Sequence, residues 1–103
     1  GGRVLDQTPG VAEVLPDIAK AVKGKVTILA DGGIRSGVDI LKMLALGADA
    51  VLIGRPFVTA SFGGQREGVK LYVENLKSEL KSAMVLTGCK SIEHVDSRIL
   101  YSR

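Results

Sequence analysis

Apolar residues recur at helical spacing over residues 11–22, where Val11, Val14, Leu15, Ile18, Ala19 and Val22 share one face. Thr8 followed by Pro9 is a start signal for that helix: the threonine oxygen caps the first turn, and the missing proline N–H costs nothing there. Pro16 is expected to kink or divide it, and Gly24 to end it. Residues 26–30 are apolar nearly throughout and form the first predicted strand. Ser36 then caps a second helix, with Asp39 three residues on in capping-box spacing. Its buried stripe is Val38, Ile40, Leu41, Leu44 and Ala45, and Gly47 is its stop. Residues 51–53 are a second apolar strand.

Beyond Pro56 the pattern loosens. Phe57, Thr59, Ser61, Gly63, Gly64 and Gln65 read as a loop with at most one helical turn, extending to Gly68. A long helix is expected over residues 67–87, with Val69, Tyr72, Val73, Leu76, Leu80, Ala83 and Met84 on one side. Lys70, Glu74, Lys77 and Lys81 lie off that face, a mixed charge pattern that suits a helix packed on a barrel wall. Gly88 closes it, residues 91–95 read as a small capping helix, and residues 96–103 as a tail.

A strand without polar alternation is one covered on both faces, as in a parallel sheet flanked by helices. Residues 26–53 therefore form one strand–helix–strand unit with a right-handed crossover, and the fold class is α/β. With 46% hydrophobic residues the core is well supplied, and the apolar runs fall far short of a membrane span. The net charge of +3 comes without a basic run interleaved with stacking residues, so nucleic-acid binding is not supported. Cys89 is the only cysteine, which excludes an internal disulfide and a thiolate metal cluster and fits a reducing cytoplasm.

Chemistry enters at two strand ends. Asp31-Gly32-Gly33-Ile34-Arg35-Ser36-Gly37 runs from a strand through adjacent glycines into a helix start. Glycines let the backbone approach a ligand closely, the helix start carries unpaired N–H groups, and Arg35 adds a charged fork suited to phosphate. The second strand ends in Gly54-Arg55-Pro56. In a parallel array both ends lie on one face, and a phosphate held by the loops after the last two strands is the recurrent anion site of (β/α)8 barrels. Such a barrel takes about 250 residues, so 103 residues beginning without methionine are expected to be a portion of one.

Three motifs agree with one family in type, order and spacing: Gly1-Gly2-Arg3 with Leu5-Asp6, then Asp31-Gly32-Gly33-Ile34-Arg35, then Gly54-Arg55-Pro56. The chain resembles the carboxyl-terminal part of the FMN-dependent α-hydroxy-acid oxidases and dehydrogenases, the family of glycolate oxidase, lactate oxidase, mandelate dehydrogenase and flavocytochrome b2. The likeness covers essentially all 103 residues, through Leu44-Ala45-Leu46-Gly47-Ala48-Asp49-Ala50-Val51 to Gly88-Cys89. It implies the last two parallel strands of a (β/α)8 TIM barrel with flanking helices and the carboxyl-terminal helix, FMN as cofactor, and a small-molecule L-2-hydroxy acid as substrate.

By the same resemblance Arg3 anchors the substrate carboxylate, Asp31 contacts the ribityl chain, and Gly32, Gly33, Ile34, Arg35, Gly54 and Arg55 belong to the FMN site. The catalytic histidine of the family would stand immediately before Gly1, and His94, the single histidine, is read as a capping residue. No catalytic base and no metal ligand is therefore assigned, and the 103 residues alone are expected to be inactive although the parent protein is an oxidoreductase. A homo-oligomer without membrane insertion is expected. The alternatives are a phosphate- or FMN-binding fragment without turnover, and a different phosphate-binding barrel of the IMP dehydrogenase kind, which shares the Asp-Gly-Gly-Ile-Arg turn.

Overall fold

A computed structural model describes residues 7–100. In chain order they form α1 (Val11–Val22), β1 (Leu29–Asp31), α2 (Gly37–Leu46), β2 (Ala50–Leu52) and α3 (Arg55–Leu86), followed by 3-10 turns at Ile92–His94 and Ser97–Ile99. The two strands pair in parallel, with Leu29 opposite Ala50, Ala30 opposite Val51 and Asp31 opposite Leu52. Leu15 and Ala19 of α1, Ile28, Ala30, Ile34, Met43 and Ala48 make the core, and Val22, Ile40, Leu46, Val51 and Ile53 pack against it. Among the described residues no helix is long and apolar enough to cross a membrane.

The predicted elements are present, with four differences. First, α1 starts at Val11 with Gly10 as its N-cap, so Thr8 and Pro9 precede the helix, and no side chain caps it. Pro16 does not divide it. The carbonyl that loses its partner is that of Ala12, an exposed residue, where water can take the place of the proline N–H.

Second, β1 is shorter than residues 26–30, because the N–H of Ile28 donates to the Asp49 carboxylate at 2.8 Å rather than to a neighbouring strand. The Ile28 carbonyl in turn accepts from the Asp49 N–H at 2.8 Å. Likewise β2 ends at Leu52, one residue earlier than the apolar run.

Third, among the described residues the sheet is covered on one face only. Ala30 is buried, whereas Leu29 is 59% and Leu52 50% exposed. Side chains alternate along a strand, so Leu29 and Asp31 with Ala50 and Leu52 occupy the face opposite the core. The expectation of cover on both faces is met by α1 and α2 on one side alone.

Fourth, the stretch expected as a loop to Gly68 is helical. Gly54 is the N-cap of α3, and Pro56 stands in its first turn, where proline is well tolerated. The helix is broken once, at Gln65, whose φ of 51° and ψ of −136° are non-helical. Its two arms fold back on each other. A Cβ on Gly68 would strike the Ala60 carbonyl, and the Phe57 and Tyr72 rings meet edge to face with centroids 5.0 Å apart. Along one straight helix those rings would be about 22 Å apart. The long apolar stripe from Val69 to Met84 is half-buried or buried as expected, with Leu76 at its centre.

The capping of α2 follows the sequence closely. Asp39 N–H donates to Ser36 Oγ at 3.2 Å, the Asp39 carboxylate accepts from the Arg35 N–H at 3.1 Å, and Gly47 ends the helix with φ of 125°. Close approach to α3 depends on Gly37, where an added methyl would lie 2.6 Å from Glu79 Cβ and nearer still to Leu80 N. Gly37→Ala is expected to force α2 and α3 apart and to cost about 1–3 kcal/mol, the range for overpacking. Chemical denaturation at neutral pH measures it, and an unchanged midpoint would show that the two helices are not closely packed.

Asp49 also generates a pH dependence. Its carboxylate accepts from Lys23 Nζ at 2.6 Å and from the Ile28 N–H, and these two hydrogen bonds, the first the larger, hold its pKa below the ordinary value. A depressed native pKa contributes stability above the unfolded value of about 3.9 that is lost as pH falls through the native value. Thermal unfolding of Asp49→Asn should therefore show a deficit at pH 7 that narrows below about pH 4. A gap that stays constant from pH 7 to pH 3 would mean that the charge of Asp49 contributes nothing.

Candidate functional site

The carboxyl ends of β1 and β2 open on the same side, as the parallel pairing requires, and a cleft of about 430 Å³ lies between the segments that follow them. Asp31, Gly32, Gly33, Ile34 and Arg35 line one wall, and Gly54 and Arg55 the other. Those are all seven residues that the resemblance assigns to the cofactor. Leu52 and Pro56 also line the cleft; Pro56 ends the third sequence motif, but neither residue is assigned to the cofactor by the resemblance. Both are neighbours of assigned positions: Leu52 stands opposite Asp31 in the sheet, and Pro56 is in the first turn of α3.

Gly32 and Gly33 turn the chain with φ of 109° and 72°. This is the left-handed region, which side chains with a Cβ rarely enter. A Cβ on Gly33 would have nothing within 4 Å, so the main chain there borders open space. Ile34 anchors the same turn from behind, 4% exposed within the core. Its burial fixes the turn while the glycines and Arg35 stay accessible.

Two charges are available. Arg35 and Arg55 are exposed, and among the described residues neither guanidinium forms an ion pair. Asp31 is exposed at the end of β1. The start of α2 is less free than the sequence suggests, since Ser36 and Asp39 satisfy the N–H groups of Asp39 and Arg35. At the start of α3 the N–H groups of Phe57 and Val58 both turn to the Gly54 carbonyl, and Pro56 has none. What the cleft offers to an anion is therefore mainly the two guanidinium groups and the glycine turn, with the helix ends as a secondary contribution.

One contact joins the two walls and was not anticipated. The Tyr72 hydroxyl, on the second arm of α3, donates to the Arg35 carbonyl at 2.7 Å. Burial is the main cause that raises the Tyr72 pKa, with the charges of Glu79 and Asp39 adding to it and Arg35 opposing.

Arg3, expected to hold a substrate carboxylate, lies outside the described residues. His94 ends the 3-10 turn at Ile92–His94, beyond α3. Cys89 is half-buried and adjoins the Thr87 hydroxyl, which lies 3.5 Å from its sulfur. Among the described residues no group of His, Cys, Asp and Glu is placed to hold a metal ion.

A sequence model of the family described as FMN-dependent dehydrogenase matches residues 1–102. The chain is 47% identical to a 2-hydroxyacid oxidase of Dictyostelium discoideum over 103 residues, all of this chain and 26% of that protein. Against an L-lactate dehydrogenase of Pseudomonas paraeruginosa it is 50% identical over 97 residues, 94% of this chain and 26% of the relative. The chain thus spans about a quarter of the length of the curated relatives it matches. Among solved structures, mandelate oxidase with benzoyl-formic acid superposes with a TM-score of 0.86 at 47% identity, over 89% of this chain and 28% of that one. A mandelate oxidase variant carrying a monooxide FMN adduct superposes equally well, with a TM-score of 0.86, 47% identity, and 89% and 29% coverage. With its two glycine–arginine strand ends brought to one cleft and a family match over nearly its whole length, the chain belongs to the FMN-dependent dehydrogenases.

Proposed function

We propose that the cleft holds the phosphate end of FMN, and that the protein to which these residues contribute the last two strands and carboxyl-terminal helix of a (β/α)8 barrel oxidises an L-2-hydroxy acid to the 2-oxo acid. The observation that carries the reading is the convergence of Asp31, Gly32, Gly33, Ile34, Arg35, Gly54 and Arg55 on one cavity. The residues fit the group. Two guanidinium groups without an ion pair among the described residues match a phosphate dianion, and the bare main chain at Gly33 leaves room that a Cβ would fill. Bound FMN would supply the acceptor for the hydride. Arg35 and Arg55 would bind and orient it through its phosphate, and the Asp31 carboxylate, at the mouth of β1, would accept a hydrogen bond from a ribityl hydroxyl.

Arg3 is proposed to fix the carboxylate of the hydroxy acid by a bidentate ion pair, the geometry that suits a planar carboxylate. Mandelate, lactate and related hydroxy acids are the substrate class suggested by the relatives. The bare sheet face with Leu29 and Leu52 supports further barrel strands or a second copy covering it, because half-exposed leucines on a parallel pair otherwise meet water.

Arg35→Ala is expected to weaken FMN binding by about 1.5–3 kcal/mol, the range for a hydrogen bond to a charged group, and Arg55→Ala to act in the same direction. Fluorescence titration of FMN measures both. Unchanged affinity in the double variant would remove the phosphate reading.

The 103 residues by themselves are proposed to bind without turnover. Loss of a general base alone lowers such a rate by about 10²–10⁴-fold. Anaerobic mixing of the FMN-loaded chain with lactate, glycolate and mandelate should leave the flavin absorbance intact. Bleaching that depends on Arg3 would show instead that the chain, or an assembly of it, makes a working site.

A further inference from the structure

Arg35 is held by its main chain at both ends. Its N–H donates to the Asp39 carboxylate at 3.1 Å, and its carbonyl accepts from the Tyr72 hydroxyl at 2.7 Å, across 37 positions of sequence. The Tyr72 ring also packs edge to face against Phe57, two residues past Arg55, at 5.0 Å and 74°. Both walls of the cleft thus meet on one side chain that does not itself line it. The break at Gln65 makes this possible, since it returns the second arm of α3 past the first.

We propose that Tyr72 is a positioning residue for the anion site: its hydroxyl sets the orientation of the Arg35 main chain, its ring fixes the first turns of α3, and together they set the spacing of the Arg35 and Arg55 guanidinium groups. This rests on the reading of the cleft as the site of the FMN phosphate. A phosphate accepts well-directed hydrogen bonds from two cations at once only if both are held at a matching separation. The Tyr72 hydroxyl is a single neutral donor, so its loss leaves the ring contact and the fold in place and loosens only the Arg35 wall.

Riboflavin, which lacks the phosphate, separates positioning from general damage. In the unaltered chain FMN should bind more tightly than riboflavin. Tyr72→Phe should lower FMN affinity roughly threefold to tenfold, the effect of one net hydrogen bond, and leave riboflavin affinity unchanged. In the unaltered chain the Tyr72 ring resonances should also move on addition of inorganic phosphate and stay still with chloride at equal ionic strength, a readout that needs no variant. No preference for FMN in the unaltered chain would overturn the reading of the cleft and the role of Tyr72 with it. An undiminished preference in Tyr72→Phe, equal loss of both flavins, or ring resonances indifferent to phosphate would overturn the role of Tyr72 alone.

Discussion

The Asp49 carboxylate fixes the register on which the site depends. It accepts from Lys23 at the end of α1 and from the Ile28 N–H at the foot of β1, and its own N–H returns to the Ile28 carbonyl. Pairing then proceeds from Leu29 opposite Ala50. A slip of one residue would invert every side chain across the sheet, exposing Ala30 and turning Leu29 inward. It would also stagger the two glycine–arginine ends, which share a cleft only because Asp31 and Leu52 finish level. The hydrogen bonds of one carboxylate at the foot of the sheet therefore bear on the cleft at its other end.

Much of this was legible in sequence because it is local. The capping pair Ser36 and Asp39, the stop at Gly47, the apolar stripe of α3 and the glycine turn at Gly32-Gly33 each follow from residues within a turn or two of one another. The residues that the resemblance assigns to the cofactor could be picked out for the same reason, each motif lying on one strand end. What escaped was either long-range or a contest between local preferences. Tyr72 reads as one more stripe residue until α3 folds back and brings it to Arg35. The stretch after Pro56 has loop composition, yet a first-turn proline and packing of Phe57 on Tyr72 make it helical, and only Gly63-Gly64-Gln65 yields a break. Continuous apolarity in the strands described residues suited to burial on both sides, whereas the helices of this chain cover one.

The cleft also separates buried from exposed parts of the same segment. Ile34 and Gly37 are buried, Arg35 between them is exposed, its N–H donates to the Asp39 carboxylate, and the Asp39 N–H donates to Ser36 Oγ. The capping carboxylate that stabilises α2 takes up donors that an anion would otherwise use. Stability of the helix and the proposed anion would compete for the same N–H groups, which leaves the proposed recognition mainly to the two arginine side chains.

The break in α3 has a consequence for how the chain tolerates changes in length. A residue inserted inside either arm would rotate everything beyond it by about 100° around the helix axis and carry Phe57 or Tyr72 off its partner. Gly63, Gly64 and Gln65 at the vertex are exposed, and neither glycine has a neighbour within 4 Å of a Cβ position. An insertion there lengthens the bend and leaves both arms in phase. Length can thus drift at the vertex while the separation of Arg35 and Arg55 stays fixed.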